Sequence, residues 1–214
     1  DSENAEVVKE LLSSIRDRNF QFAATKILAV LDGSKALKNA LRALWGDNVV
    51  IQRCYIHKAR NLCEYMPKRA HSEIYSRLKK IMGLNTYSAA KHEYELFARY
   101  LGSMSFDAEK SLREAGEDLL ILHRLDVIGE LRKSLTTTNV IENLMNRIKD
   151  KTGRVKNWKI HPKSKSRIPK DRLLRWVASS IQRQTKKMKR VRGGKLQMDA
   201  LVAYLQILGR MVDF

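Results

Sequence analysis

The chain has 214 residues, 43% of them apolar, enough to bury a core, and no eighteen-residue apolar run that would read as a membrane-spanning helix. Two cysteines, Cys54 and Cys63, exclude a disulfide framework and fit a reducing cytosol. The formal charge of +19 is concentrated: residues 143–195 carry 19 Lys and Arg against only Asp150 and Asp171, a density that calls for a polyanion such as nucleic-acid phosphate.

The chain opens on Asp1 without a signal-peptide pattern and reads as a piece of a longer or processed polypeptide. Residues 4–18 make an amphipathic helix in which Val7, Val8, Leu11, Leu12 and Ile15 share a face. The apolar run at 26–31 reads as a strand buried on both faces. Asp32 and Gly33 close it, and Ser34 is the N-cap of a helix through Leu44. A second strand at 49–54 completes the order helix, strand, helix, strand, the pattern of a layered α/β sheet. Asp32 stands at the carboxyl end of the first strand, where ligands gather in such sheets, although an Asp-Gly turn also serves simply to end a strand. Cys54 and His57 follow the second strand, three positions apart. A zinc site would need two more ligands, and Cys63 and His71 match no common finger spacing, so the residues read as a packed cysteine and a hydrogen-bonded histidine.

Residues 58–135 read as helices, at 71–82, 87–101 and 109–125 among others, punctuated by Pro67, Gly83, Gly102 and Gly129. Tyr94, Phe97 and Tyr100 fall on core positions rather than forming a base-stacking platform. Small hydroxyl and amide residues at 136–139 then give way to Val140, Ile141, Leu144, Met145 and Ile148 at helical spacing. The helix therefore starts near Asn139, with Asn139 as N-cap and Glu142 in the first turn. A capping box accounts for Glu142 on its own terms. A basic connector at 153–170 reads as a functional or mobile loop, followed by a basic helix at 173–189, with Trp176 as a core anchor, and an apolar helix at 196–212.

Asp32 and Glu142 form a pair of carboxylates separated by a helical segment and followed by dense positive charge. Carboxylates converging on divalent ions beside phosphate-binding charge are what two-metal phosphodiester chemistry requires, and hard oxygen ligands suit Mg2+ or Mn2+. The stretches Leu31-Asp32-Gly33-Ser34-Lys35-Ala36-Leu37, Ile51-Gln52-Arg53-Cys54-Tyr55-Ile56-His57-Lys58-Ala59-Arg60-Asn61 and Thr137-Thr138-Asn139-Val140-Ile141-Glu142-Asn143 resemble, in that order, the Mutator-type transposases of bacterial insertion sequences. Weaker echoes are Ser111-Leu112-Arg113-Glu114, Leu122-His123-Arg124-Leu125, Arg154-Val155-Lys156-Asn157-Trp158 and Arg175-Trp176-Val177-Ala178.

The resemblance implies an α/β chain, a partial ribonuclease-H-like fold that is predominantly helical by residue count because of a large all-helical insertion. It implies a core part at 1–57, the insertion at 58–135, and a carboxyl-terminal core helix with basic DNA-binding helices at 136–214. It implies an Asp-Asp-Glu triad that holds two Mg2+ or Mn2+ ions and cuts and rejoins DNA at element ends. Asp32 matches the second aspartate and Glu142 the glutamate, so both are expected to be catalytic and metal-binding. The family's first aspartate lies upstream of the matched region, which makes this the carboxyl-terminal part of a transposase. Cys54 and His57 match the family's Cys-x-x-His signature and, with Asn139, are expected to support the site. A homo-oligomer on paired DNA ends and a bacterial, nucleoid-associated cytoplasmic location are further implications.

Arg147, Lys149, Arg154, Lys156, Arg175, Lys186, Lys187 and Arg190 are the expected DNA contacts. A non-catalytic, basic nucleic-acid-binding module is the alternative of a different class. An RNA-processing nuclease of the same fold is disfavoured by the Thr-Thr-Asn-Val-Ile-Glu stretch.

Overall fold

A computed structural model describes residues 5–17, 26–154, 168–188 and 194–210. In chain order the elements are α1 (Ala5–Asp17), β1 (Ile27–Leu31), α2 (Lys35–Trp45), β2 (Val49–Arg53), α3 (Tyr55–Glu64), α4 (His71–Gly83), α5 (Tyr87–Gly102), α6 (Phe106–Ala115), α7 (Ile121–Arg124), α8 (Gly129–Leu135), α9 (Asn139–Thr152), α10 (Ile168–Thr185) and α11 (Gly194–Arg210). The described structure is mostly helical with a two-stranded parallel sheet, compatible with the expected α/β class. It divides into two compact units, Asp1–Thr138 with Val191–Phe214, and Asn139–Arg190.

In the first unit β1 and β2 run parallel, with Leu31 opposite Arg53. Side chains alternate across the sheet, so one face meets α2 and the other meets α7, α8 and α11. Leu31, Val49 and Ile51 pack with Leu41, and with Leu12, Leu37 and Trp45 around them. On the opposite face Leu28 and Val50 meet Leu122, Leu125, Leu131, Leu201 and Leu205. Both faces are covered, yet four of the five β1 residues are only half-buried, less than the sequence pattern predicts. β2, with the same single neighbour, is buried because α2, α7 and the 3-10 turn before α7 pack along it.

The sheet's carboxyl end opens into helices α3 to α6, whose shared core includes Leu62, Ile74, Leu78, Phe97, Leu101 and Leu112. Tyr94 is buried there, with its hydroxyl donating to the Leu112 carbonyl at 3.0 Å, and Tyr100 stacks on Phe97 at the margin. The helix expected over 109–125 is broken. Gly116 takes φ +46°, its N–H caps the Leu112 carbonyl, and a short 3-10 turn precedes α7.

Gln52 fastens this helical segment back to the sheet. It is fully buried on β2, its amide donates to the Leu119 carbonyl at 3.1 Å, and its side-chain oxygen accepts from the Leu122 N–H at 3.1 Å. A buried amide with both ends satisfied fixes where α7 leaves the sheet.

The second unit is built from α9 and α10, packed on one another. Helix α9 starts at Asn139, so Thr138, not Asn139, occupies the preceding position. Helix α10 starts at Ile168, earlier than the periodicity predicts, with Pro169 in its first turn, where a missing N–H costs nothing. No described residue of α9 is buried. Trp176, expected as a core anchor, is 42% exposed: the two helices described there offer too little surface to enclose an indole. Residues 155–167 of the expected connector lie outside the described residues.

Candidate functional site

The carboxyl edge of the two-stranded sheet gathers most of the residues singled out in the first half of the sequence. Asp32 follows β1 directly and is exposed, and its Oδ1 accepts from the Ser34 N–H at 3.0 Å. Ser34 Oγ accepts in turn from the Leu37 N–H at 3.2 Å, capping α2 as expected. Gly33 between them takes φ +116°, and a Cβ there would collide with the Arg53 guanidinium. The turn that presents Asp32 is thus closed by a side chain from the adjacent strand, and only glycine leaves room for it.

Arg53 sits at the end of β2 with its side chain 10% exposed, and its Nη2 lies 3.9 Å from Glu114 Oε2. Its Nε is buried with no hydrogen-bond partner. One turn into α3, Lys58 is buried among the helices and donates to the Ser111 carbonyl at 2.7 Å and to Glu114 Oε2 at 2.8 Å. Burial lowers the Lys58 ammonium pKa more than the Glu114 carboxylate raises it. Burial opposes ionisation of Glu114, but the Lys58 hydrogen bond and the Lys58 and Arg53 charges outweigh it and hold this carboxyl below its ordinary value. These side chains, with Gly33 and Lys35, line a cleft of about 490 Å³ at the sheet edge.

Cys54 is fully buried, and its N–H donates to the Leu31 carbonyl at 2.7 Å; β2 ends at Arg53 rather than at Cys54 because Cys54 is the N-cap of α3. Its Sγ lies 3.3 Å from His57 Nδ1, one helical turn on. Thr138 completes a three-way contact, with its Oγ1 3.6 Å from Cys54 Sγ and 3.4 Å from His57 Nδ1. The Tyr55 N–H donates to the Thr136 carbonyl at 3.3 Å, and Arg60 Nη1 lies 3.4 Å from His57 Nε2. The packed cysteine and hydrogen-bonded histidine read from the sequence are therefore present. Their partner is the segment 136–138, from which the chain enters α9.

Glu142 lies in the first turn of α9, half-buried, with Asn139 at the helix start. Asp32 and Glu142 belong to different units. Among the described residues no group of three or more His, Cys, Asp or Glu side chains is placed to hold a metal ion.

The second unit carries the charge. Arg147 and Lys149 on α9, Arg154 just after it, Arg175 on α10, and Lys186 and Lys187 beyond its end are all exposed. Lys156 and Arg190 lie outside the described residues. A cleft of about 700 Å³ between the two helices is lined by Lys151, Arg154, Arg175, Arg183, Asp150 and Trp176. A second, of about 370 Å³, includes Arg147 and Lys187.

Several of these residues escape sequence reasoning. Arg53, Gln52 and Glu114 find their partners only in three dimensions. Lys58 does leave a signal, since it falls on the helical phase of Cys54 and Leu62, where an apolar residue is expected. Thr138 leaves none, because nothing local ties it to Cys54.

No helix among the described residues is long and apolar enough to cross a membrane. Over 148 residues, 69% of its length, the chain is 27% identical to the transposase for insertion sequence element IST2 of Acidithiobacillus ferrooxidans, covering 48% of that protein. Over 151 residues, 70% of its length, it is 28% identical to the transposase for insertion sequence element IS1201 of Lactobacillus helveticus, covering 39% of it. The chain thus spans half or less of the length of these relatives. The sequence model described as transposase, Mutator family, matches residues 1–187, and the chain belongs to that family.

Proposed function

We propose that this chain supplies two carboxylates and the DNA-holding helices of a metal-dependent transposase that cuts and rejoins DNA at insertion-sequence ends. The observation that carries this reading is the sheet edge itself: Asp32 is presented there by a closed turn, and Cys54 and His57 hold Thr138, which leads into the helix of Glu142. On this reading the first unit is a partial ribonuclease-H-like core interrupted by a helical insertion over 58–135, with the core helix and basic helices at 136–214.

Asp32 and Glu142 would hold Mg2+ or Mn2+ through carboxylate oxygens, the donor chemistry those ions take. Ions held there would activate water or a sugar hydroxyl and stabilise the leaving oxygen of an in-line displacement. Two carboxylates alone do not complete a two-ion ligand set, so a further acidic residue would join them. Cys54, His57 and Thr138 act by positioning, with Sγ, Nδ1 and Oγ1 in contact with one another. Asn139 opens the Glu142 helix beside them in sequence. Arg147, Lys149, Arg154, Arg175, Lys186 and Lys187, with Lys156 and Arg190, neutralise DNA phosphates. Oligomerisation on paired ends and a nucleoid-associated cytoplasmic location belong to the same reading.

The test is strand cleavage by a full-length transposase carrying these residues. Asp32→Ala and Glu142→Ala should each lower cleavage at least 100-fold while leaving DNA affinity within a factor of about two. Retained cleavage in either variant overturns the assignment. Retained DNA binding with no metal-dependent cleavage in the unsubstituted protein would favour the non-catalytic binding module instead.

A further inference from the structure

Arg53 places a guanidinium beside Asp32 without using its donors. It pairs with Leu31 at the end of β2, one residue short of Asp32, so the two backbones lie roughly 6 Å apart across the sheet edge. The side chain is 10% exposed and lies against Gly33, in the turn that presents Asp32. Its Nε is buried with no hydrogen-bond partner, and Nη2 reaches Glu114 Oε2 only at 3.9 Å, beyond hydrogen-bond range. That oxygen already accepts from Lys58 at 2.8 Å. A buried charged donor left unfilled costs free energy, and an acceptor supplied by a ligand removes the cost.

The cleft that Arg53 lines, of about 490 Å³, is large enough to hold such an acceptor. Its described lining sets Lys35, Arg53, Lys58 and Lys110 against three carboxylates, those of Glu64, Asp107 and Glu114. One net positive charge suits a phosphodiester, with its single negative charge, better than a terminal phosphate, which carries more. Lys58 and Glu114 are paired with each other, which leaves Arg53 and the exposed Lys35 as the cations next to the Asp32 turn. A guanidinium presents its N–H groups as a planar fork that matches phosphate oxygens.

We infer that Arg53 and Lys35 bind one phosphodiester group of the DNA strand in this cleft, at the phosphate being cut or the one beside it. That the strand is DNA and is cut at Asp32 rests on the function proposed above, whereas the anion site is built from the first unit's own residues.

The test is a substitution cycle on a full-length transposase carrying these residues, bound to element-end DNA in which phosphates near the cut are replaced one at a time by uncharged methylphosphonates. Lost cleavage in Arg53→Gln would follow equally from a disturbed Gly33 turn, so the readout is DNA affinity and its coupling to one phosphate. In the unsubstituted protein, neutralising that phosphate should weaken binding roughly tenfold. In Arg53→Gln the same neutralisation should cost less than about twofold, while neutralising a distant phosphate should cost both proteins equally. Lys35→Gln, at an exposed position, should lower the penalty to roughly threefold, and it decides by the same criterion if Arg53→Gln fails to fold. Penalties that simply add at every phosphate overturn the site, whether the phosphate binds elsewhere or the chain's own residues fill the cleft. Coupling in a protein that cuts no DNA with Mg2+ or Mn2+ keeps the phosphate site and defeats the cleavage function, and cleavage without coupling does the reverse.

Discussion

Asp32 follows a strand whose neighbour is buried along nearly its whole length, while Glu142 rides a helix that buries none of its described residues. Around Asp32 the turn is closed by Ser34 and Arg53, and the strand behind it is pinned by Gln52 and by the Lys58–Glu114 pair. Around Glu142 the described residues of the unit form two helices with an exposed, strongly basic surface. The contrast separates two physical tasks. Burial and satisfied polar groups fix a carboxylate in place, whereas exposed cations gain affinity from a polyanion and contribute little to folding.

Substitutions that test the first half of the contrast should show the largest effects. Lys58→Ala removes a buried side chain and leaves the Ser111 carbonyl and Glu114 without their donor, and it should destabilise the protein by about 3–5 kcal/mol in chemical unfolding. Lys58→Met should recover much of that loss, because it refills the space. An Ala variant as stable as the parent would show that the brace between α3 and α6 is dispensable.

A pH effect of somewhat smaller size follows from His123, which is 1% exposed. Burial, and after it the Arg132 charge, push its pKa down to about 4. The unfolded chain takes up a proton near pH 6.5 and the folded chain only near 4, so this residue's stabilisation is complete above pH 6.5 and is lost as pH falls through that window. The loss should reach about 3 kcal/mol. His123→Leu should flatten the stability profile between pH 5 and pH 6.5, and an unchanged slope would contradict the assignment.

The smallest effect on stability belongs to the second unit. Replacing Arg147, Lys149 and Arg154 by Gln should leave the unfolding midpoint nearly unchanged, since all three are exposed. It should nevertheless reduce the salt dependence of DNA binding by about 0.9 in logarithmic slope for each phosphate contact removed. A fall in stability without a change in that slope would reverse the comparison.

Much of this division was legible in the residues. Hydrophobic runs at 26–31 and 49–54, the cap at Ser34, the Asp-Gly turn and the +17 block all announce themselves over short distances, where periodicity and turn chemistry operate. The pairings that hold the edge together were not. Lys58 meets Glu114 and Ser111 more than fifty positions away, and Thr138 meets Cys54 across more than eighty. Local pattern carries no record of such partners. Trp176 escapes it for a related reason: its helical phase looks apolar, but the described residues of the second unit leave it 42% exposed.

On the function proposed above, Asp32 and Glu142 are metal ligands for strand cleavage. The most direct measurement is cleavage by an Asp32→Cys variant of a full-length transposase in Mg2+ and in Mn2+, with DNA affinity followed in parallel. A thiolate is a poor ligand for Mg2+ and a better one for softer ions, so activity should be lost in Mg2+ and partly restored in Mn2+, with binding unchanged. Cleavage that persists in Mg2+ would contradict the claim.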